Sequence, residues 1–413
     1  MKILLVNTFD TIGGPGRWVY MMHKNFLQLQ IDSVYLVDKK FSKDDSVLGS
    51  SGKKSNFKSR AKQVVDYLPL IFYPHWEKVI FSTGFAPFDI KRFVEKLKPD
   101  IVHLNWINRG FVSVKSLQNI KVPIVWTMHD MWSFTGGCHY DEECGRYRTG
   151  CGRCPILGSS KDRDLSSCIL GKKNKYWDDI NLTMVAPSRW LYNCAKESSL
   201  FRNKRVEHLA VGMDLATYMP TNKVEARKIL GLPQDKKLVL FGAVNAVADK
   251  RKGFNYLIDA LRILFNNNKQ IELVVFGSSQ SDLVSNLGFK CHFLGNISDN
   301  YKMSLIYSAV DVFVAPSRQD NMPATVMESL ACSTPVVAFD VGGMPDMIEH
   351  RKNGYLARPF QADDLANGIK WIIDDTADYP FLARCSRAKM QEEYDIKSIA
   401  KKYLDLYKDI LKK

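Results

Sequence analysis

Short apolar runs with no polar alternation recur along the whole chain, each followed by a turn and a helix-patterned segment. KILLVNTF (Lys2 to Phe9) leads into the Gly-rich TIGGPGRW and a helix. SVYLVD, DIVHLNW, PIVWTMHD and LTMVAPSRW (Leu182 to Trp190) follow. A strand that is apolar on both faces must be covered on both, as in a parallel sheet layered between helices. The alternation restarts at KLVLFGAV (Lys237 to Val244) and continues through IELVVFGS, KCHFLGNI, DVFVAPS and PVVAFDV. Between these strands GFNYLIDALRILF puts Phe254, Leu257, Ile258, Leu261, Leu264 and Phe265 on one helical face. The expected fold class is therefore α/β, with two Rossmann-like domains built on parallel sheets. A chain of 413 residues also exceeds one ordinary core. The break falls near Val206 to Pro220, which gives an N-terminal domain over 1–205 and a C-terminal one over 206–392. IKSIAKKYLDLYKDILKK, within 393–413, reads as a charged amphipathic helix.

The bulk numbers narrow the function classes. Apolar residues make up 46% and charged residues 25%, as in a folded soluble protein. No apolar run reaches the ~20 residues of a membrane span. The apolar part of MKILLVNTF is too short for a signal peptide, so a cytoplasmic protein is expected. The net charge of +14 suits an anionic partner: nucleic acid, an acidic membrane surface or a phosphorylated ligand. No zinc-finger histidine pair or aromatic RNA-binding signature is present, so nucleic acid is not expected as a partner. The basic cluster Lys53 to Lys62 reads first as a solvated loop.

RQDNMPATVMESLACSTPVVAFDVGG holds the most pointed pattern. Asp320 follows the strand DVFVAPS, and Glu328 comes eight positions later inside an apolar helix. Ligands of open α/β sheets lie beyond the carboxyl ends of the strands. Pro323 is well placed at a helix start, and the N–H groups that follow, at Ala324 and Thr325, suit a phosphate. Two acids flanking a diphosphate could then accept hydrogen bonds from sugar hydroxyls.

APSRQDN, ESLACSTPVVA, VGGMPDMI and NGYLARP occur in that order, preceded by Arg251 and Lys252 just before a helix. This arrangement closely resembles the retaining, family-4 type of glycosyltransferase with the two-domain GT-B fold, in which the two sheets face each other across a cleft. The family's acid, seven residues, Glu signature matches Asp320 to Glu328, and the likeness is strongest from Phe241 to Pro359. The resemblance implies that Glu328 holds the nucleotide ribose and that Asp320 stands beside the donor sugar in the place of the usual Glu. It implies that Lys252 neutralises the diphosphate as a point cation. The family's Arg just after the first-strand Gly is missing, since Ala243 follows Gly242; Arg251 is a candidate substitute. Gly342 and Gly343 are expected to turn N–H groups toward the donor, and Gly295 resembles the base-binding position. Across the cleft the resemblance makes Gly13, Gly14 and Gly16 candidates for the diphosphate or acceptor.

His129, in TMHDMW at the end of PIVWT, matches the family's His on the donor-sugar or acceptor side, with Asp130 as its orienting neighbour. Directly after it, over 136–168, lies a Cys-rich insertion. Cys138, Cys144, Cys151 and Cys154 read C-x5-C-x6-C-x2-C, and only the last pair has common zinc spacing. A structural zinc is one reading, with His139 and Cys168 as substitute ligands; free thiols or a disulfide are the others. A similar HDMW-x-FTGGCHY insertion occurs in polysaccharide-assembly members of the family. YLPLIFYPHWEKVIF (Tyr67 to Phe81), after the basic cluster, reads either as a core helix or as a membrane-interface segment.

The reaction implied is a retaining hexosyl transfer from a UDP- or GDP-sugar to a glycan or lipid-linked glycan, in envelope or exopolysaccharide synthesis. Helix ends and Lys252 would handle the diphosphate, so no cofactor is expected for catalysis. The location implied is cytoplasmic, extended to the inner face of the cytoplasmic membrane if the acidic surface is the partner. A nucleotide-sugar epimerase would release an altered donor with no acceptor. A non-catalytic partner subunit would turn over no donor at all.

Overall fold

A computed structural model of the chain describes residues 1–86, 88–242, 249–265, 270–277, 289–374 and 378–412, apart from the side chains of residues 53–56. Its residues fall into two compact units. The first comprises Met1–Val211 with Ile399–Lys413, and the second Gly212–Ser398.

The first unit is built from β1 (Lys2–Phe9), α1 (Gly13–Gln28), β2 (Asp32–Lys39), β3 (Val47–Ser50), α2 (Lys53–Tyr67), α3 (Lys91–Leu97), β4 (Ile101–Leu104), β5 (Ile124–Thr127), α4 (Leu165–Trp177), β6 (Leu182–Ala186), α5 (Arg189–Glu197) and β7 (Arg205–His208). Its seven strands lie in the order β3-β2-β1-β4-β5-β6-β7, and the neighbours pair in parallel. β4, β5 and β6 are buried along their whole length, as continuous apolar runs require.

The second unit holds α6 (Lys223–Leu230), β8 (Lys237–Gly242), α7 (Phe254–Phe265), β9 (Ile271–Phe276), β10 (Cys291–Phe293), α8 (Asn300–Ala309), β11 (Val312–Ala315), α9 (Ala324–Ala331), β12 (Val336–Phe339), α10 (Met344–Met347), β13 (Gly354–Ala357), α11 (Ala362–Ile373) and α12 (Tyr379–Glu393). Its strand order is β10-β9-β8-β11-β12-β13, again parallel. The strand expected over Lys237 to Val244 is seen as far as Gly242; Ala243 and Val244 lie outside the described residues. The apolar face of α7 packs with β8, β9 and β11 into one core.

In each sheet the chain winds outward one way from its first strand and then the other, which is the doubly wound order. The winding reverses between β1 and β4 in the first unit and between β8 and β11 in the second. Loops diverge at these reversals and leave a crevice at the carboxyl ends. The last helix, α13 (Ile396–Leu411), joins the first unit from Ile399 onward. There Tyr403 Oη lies 3.0 Å from Thr127 Oγ1, and Tyr407 Oη 2.6 Å from His103 Nδ1, both tyrosines fully buried.

Candidate active site

In the second unit the crevice sits at the reversal point, lined by Gly242 from β8, Lys252, Pro316 and Ser317 after β11, and Pro323 and Thr325 at the start of α9. Local chemistry explains why α9 starts there. Pro323 takes the N-cap position with φ −65°, no side chain caps the helix, and its first turn carries no acid. The positive end of the helix is thus left without a carboxylate of its own.

Asp320 is 6% exposed and is held from several sides. Lys252 Nζ donates to its Oδ2 at 2.6 Å, and Arg251 Nη1 lies 3.1 Å from the same oxygen. Ser317 Oγ donates to Oδ2 at 3.4 Å, and the Asn321 N–H to Oδ1 at 3.2 Å. Two cations on one buried carboxylate offset its desolvation. The backbone is fixed as firmly. The Gly343 N–H donates to Asp320 O at 3.0 Å, and Arg318 N–H to Arg251 O at 2.8 Å. Gly342 has φ +58°, and a Cβ there would lie 2.0 Å from Asp320 O. The Gly342–Gly343 turn therefore works here by closing onto Asp320. The N–H of Gly343, expected to face the donor, is engaged with that carbonyl.

Glu328 sits in α9 at 2% exposure, where Tyr307 Oη from α8 donates to its Oε2 at 2.8 Å. Sequence reasoning misses Tyr307: MSLIYSAV reads as an ordinary apolar helix, and nothing in its spacing marks the tyrosine as a carboxylate partner. Gly295, past β10, has φ +67° and open space around its α-carbon, and its carbonyl accepts from the Gly277 N–H at 2.8 Å. The structure thus brings Arg251, Lys252, Asp320, Gly342 and Gly343 together, with Thr325 on the neighbouring crevice wall. Glu328 lies one helical turn beyond it, and Gly295 stands at a separate strand end.

In the first unit the candidates lie after β1 and β5. Gly13 opens α1 with φ +73°, and a Cβ at Gly16 would come within 2.9 Å of Phe9 O, so Gly16 lets α1 approach the end of β1. Gly14 has open space. Trp18, in the next turn, packs edge-on against His129 with ring centroids 5.5 Å apart. His129 Nε2 lies 3.1 Å from Asn105 Oδ1. Burial lowers its pKa to about 4, against a smaller upward pull from Asp130, so the ring is neutral near pH 7.

Asp130 makes a network of its own. Its Oδ2 lies 2.6 Å from His139 Nδ1 and accepts from Trp106 Nε1 at 3.0 Å, while Oδ1 accepts from Trp132 N–H at 2.9 Å. Burial would raise its pKa, but His139 and these donors outweigh it and hold the carboxyl below its ordinary range. His139 Nε2 in turn meets Ser82 Oγ at 3.0 Å. His139, a candidate metal ligand by sequence, thus belongs to Asp130.

The structural zinc, one of the readings of the cysteine spacing, finds no support here. Among the described residues no three His, Cys, Asp or Glu side chains are arranged to hold a metal ion. Cys138 and Cys154 instead pack in an apolar cluster with Leu70, Phe81, Ile156, Leu157 and Ile169. Burial pushes all four thiol pKa values up, Cys151 to about 12. Polar ties staple the insertion. Asp164 caps α4 and also accepts from Cys154 N–H at 2.9 Å. Buried Lys173 donates to the carbonyls of Trp132 and Thr135.

Comparison with known proteins fits this geometry. A family model described as glycosyl transferases group 1 matches residues 222–392. A protein of Escherichia coli K12 named as a putative colanic acid biosynthesis glycosyl transferase, WcaC, is 26% identical, over 82% of this chain and 83% of its own. Other curated relatives are matched over about half their own length, 48% and 54% in two cases. The fold of a sucrose-phosphate synthase from Thermosynechococcus elongatus superposes with a TM-score of 0.71 at 20% identity, covering 99% of both chains. That of Anabaena HepE in complex with UDP gives 0.66 at 16%, covering 99% and 100%.

Proposed function

We propose that this chain, which matches the group 1 glycosyltransferase model over residues 222–392 and has the GT-B fold, moves a hexosyl group from a nucleotide-sugar donor to a glycan or lipid-linked glycan acceptor in polysaccharide assembly. The observation that carries this reading is the junction of Arg251, Lys252 and Asp320 beside the uncapped start of α9. Two cations and an uncapped helix N-terminus are what a diphosphate needs. Without donor, Asp320 neutralises both cations; with donor, the diphosphate shares them and frees Asp320 to accept from a sugar hydroxyl. Glu328, an acceptor toward Tyr307, is the carboxylate that this reading assigns to the ribose. UDP is the favoured nucleotide, on the likeness to a fold that binds it, and GDP is the alternative.

Retention follows in this reading from same-face attack. The acceptor hydroxyl bonds to the anomeric carbon as the bond to the diphosphate oxygen breaks, and the departing diphosphate takes the acceptor's proton. The chain's part is to stabilise the leaving charge through Lys252, Arg251 and the α9 N–H groups. His129, neutral near pH 7, is assigned in this reading a hydrogen bond to the donor sugar or the acceptor, on the family resemblance. The test is the anomeric configuration of the product, read by proton NMR after reaction with an α-linked UDP- or GDP-hexose. An α-linked product is expected; a β-linked one, or an altered sugar nucleotide with no acceptor consumed, would overturn the reading.

A further inference from the structure

Helix α2 turns the opposite side outward from most surface helices. Its inward face is polar. Ser59 Oγ donates to Asp38 Oδ2 at 2.6 Å, and Lys62 Nζ to Asp38 Oδ1 at 2.5 Å. Asp66, also buried, accepts from Thr83 Oγ1 at 2.9 Å and from Gly84 N–H at 2.7 Å. Its outward face is apolar: Phe57 is 75% exposed, Val64 63% and Leu68, just past its end, 53%. These positions recur at the spacing of one helical face. The 3-10 turn Leu68–Phe72 extends the surface with Ile71 at 66% and Phe72 at 78%. An apolar stripe at this spacing ordinarily faces the core. Here it faces out, and hydrogen bonds on the opposite side hold it there.

The charge around the stripe is of one sign. From Lys53 to Phe72 the sequence has five bases, Lys53, Lys54, Lys58, Arg60 and Lys62, the last turned inward to Asp38, and one acid, the buried Asp66. Lys58 and Arg60 are exposed beside the apolar face. The stripe is also braced from beneath. Leu70 is the one side chain of the turn that is buried, and it packs with Tyr67, Tyr73, Cys138 and Cys154. The Cys-rich insertion thus supports this turn.

We propose that α2 and the Leu68–Phe72 turn form a docking face for an anionic lipid bilayer, lying in the plane of the interface. Large apolar side chains with flanking bases and no exposed acid are the composition of an interfacial helix. Protein interfaces, by contrast, are depleted in lysine. Among the described residues no helix is long and apolar enough to cross a membrane, so this contact is peripheral. The inference rests on exposure and charge and stands apart from the sugar-transfer reading.

The test is flotation of the full chain with phosphatidylglycerol–phosphatidylcholine vesicles and with pure phosphatidylcholine vesicles. The chain is expected to float with the anionic vesicles only, and to be released by salt at about 0.5 M, where the Debye length shrinks to a few ångströms. Replacing Phe57, Leu68 and Phe72 by Ser should lower the bound fraction roughly tenfold or more, as should Lys58→Glu with Arg60→Glu. All five side chains are exposed, so Tm and nucleotide binding should hold in both variants and keep this test separate from the donor site. The proposal is overturned if the wild type does not float, or if the Ser variant floats as well as the wild type. It is also overturned if light scattering finds a dimer that the Ser variant dissolves, which would assign the face to a second copy of the chain.

Discussion

At the scale of single residues, Asp320 is the hub of the second unit's candidate site. Gly342 has little freedom to change, because its φ is +58° and a Cβ would lie 2.0 Å from Asp320 O. Gly342→Ala is therefore expected to cost at least about 2 kcal/mol of stability, read by urea unfolding, and to weaken nucleotide binding. Lys252→Ala leaves Asp320 paired with Arg251, so the fold should survive while nucleotide affinity drops on the order of tenfold or more. Equal affinity in the variant would show that Lys252 does not meet the diphosphate. Asp320 and Glu328 were legible because a carboxylate inside an apolar run is costly and needs a use. Tyr307 was not, because a tyrosine in an apolar helix looks the same whether its hydroxyl meets water or a carboxylate.

At the scale of elements, the alternation of strand and helix was readable because continuous apolar runs and periodic apolar faces leave few arrangements. The Cys-rich insertion was not. Cysteine spacing alone does not say what the thiols pack against; here Cys138 and Cys154 lie among apolar side chains, and polar side chains hold the loop. Asp164 carries the largest share of those bonds, accepting from Cys154 N–H, Ser166 N–H, Ser166 Oγ and Ser167 N–H. Asp164→Ala is expected to lower stability by about 1–2 kcal/mol or more, the scale of losing a helix cap together with a loop anchor. Calorimetry should show the loss in the first unit and not in the second. The segment after the basic cluster also divides in a way periodicity could not decide. Leu70 goes inward while Leu68, Ile71 and Phe72 go outward, because the chain has left the α-helix for a tighter turn.

At the scale of the molecule, the two units should answer to pH differently. His23, His103 and His129 all belong to the first unit, and burial lowers their pKa values from 6.5 to about 4, 3 and 4. Unfolded, these rings take up protons below about pH 6.5; folded, they resist until about pH 4 or lower. The stability that comes from burying them neutral is thus fully present above pH 6.5 and is lost as pH falls toward 4. Each tenfold loss of proton affinity on folding is worth about 1.4 kcal/mol for each ring. Scanning calorimetry should show the first unit's transition falling steeply between pH 6.5 and 4. A transition that stays level across that range would mean that these rings are not buried as neutral groups. The division into two doubly wound halves was legible from the repeated pattern. The winding order of each sheet was not, because pairing between strands is set by contacts distant in sequence.

The central claim is that the second unit holds a nucleoside diphosphate, with its sugar on Glu328 and its charge on Lys252 and Arg251. It is tested most directly by calorimetric titration of UDP, GDP and ADP into the wild type and into Glu328→Ala. The account predicts binding of one nucleotide, UDP before GDP, that is lost or weakened at least tenfold in the variant. Absence of binding by the wild type, or equal binding by the variant, would contradict it.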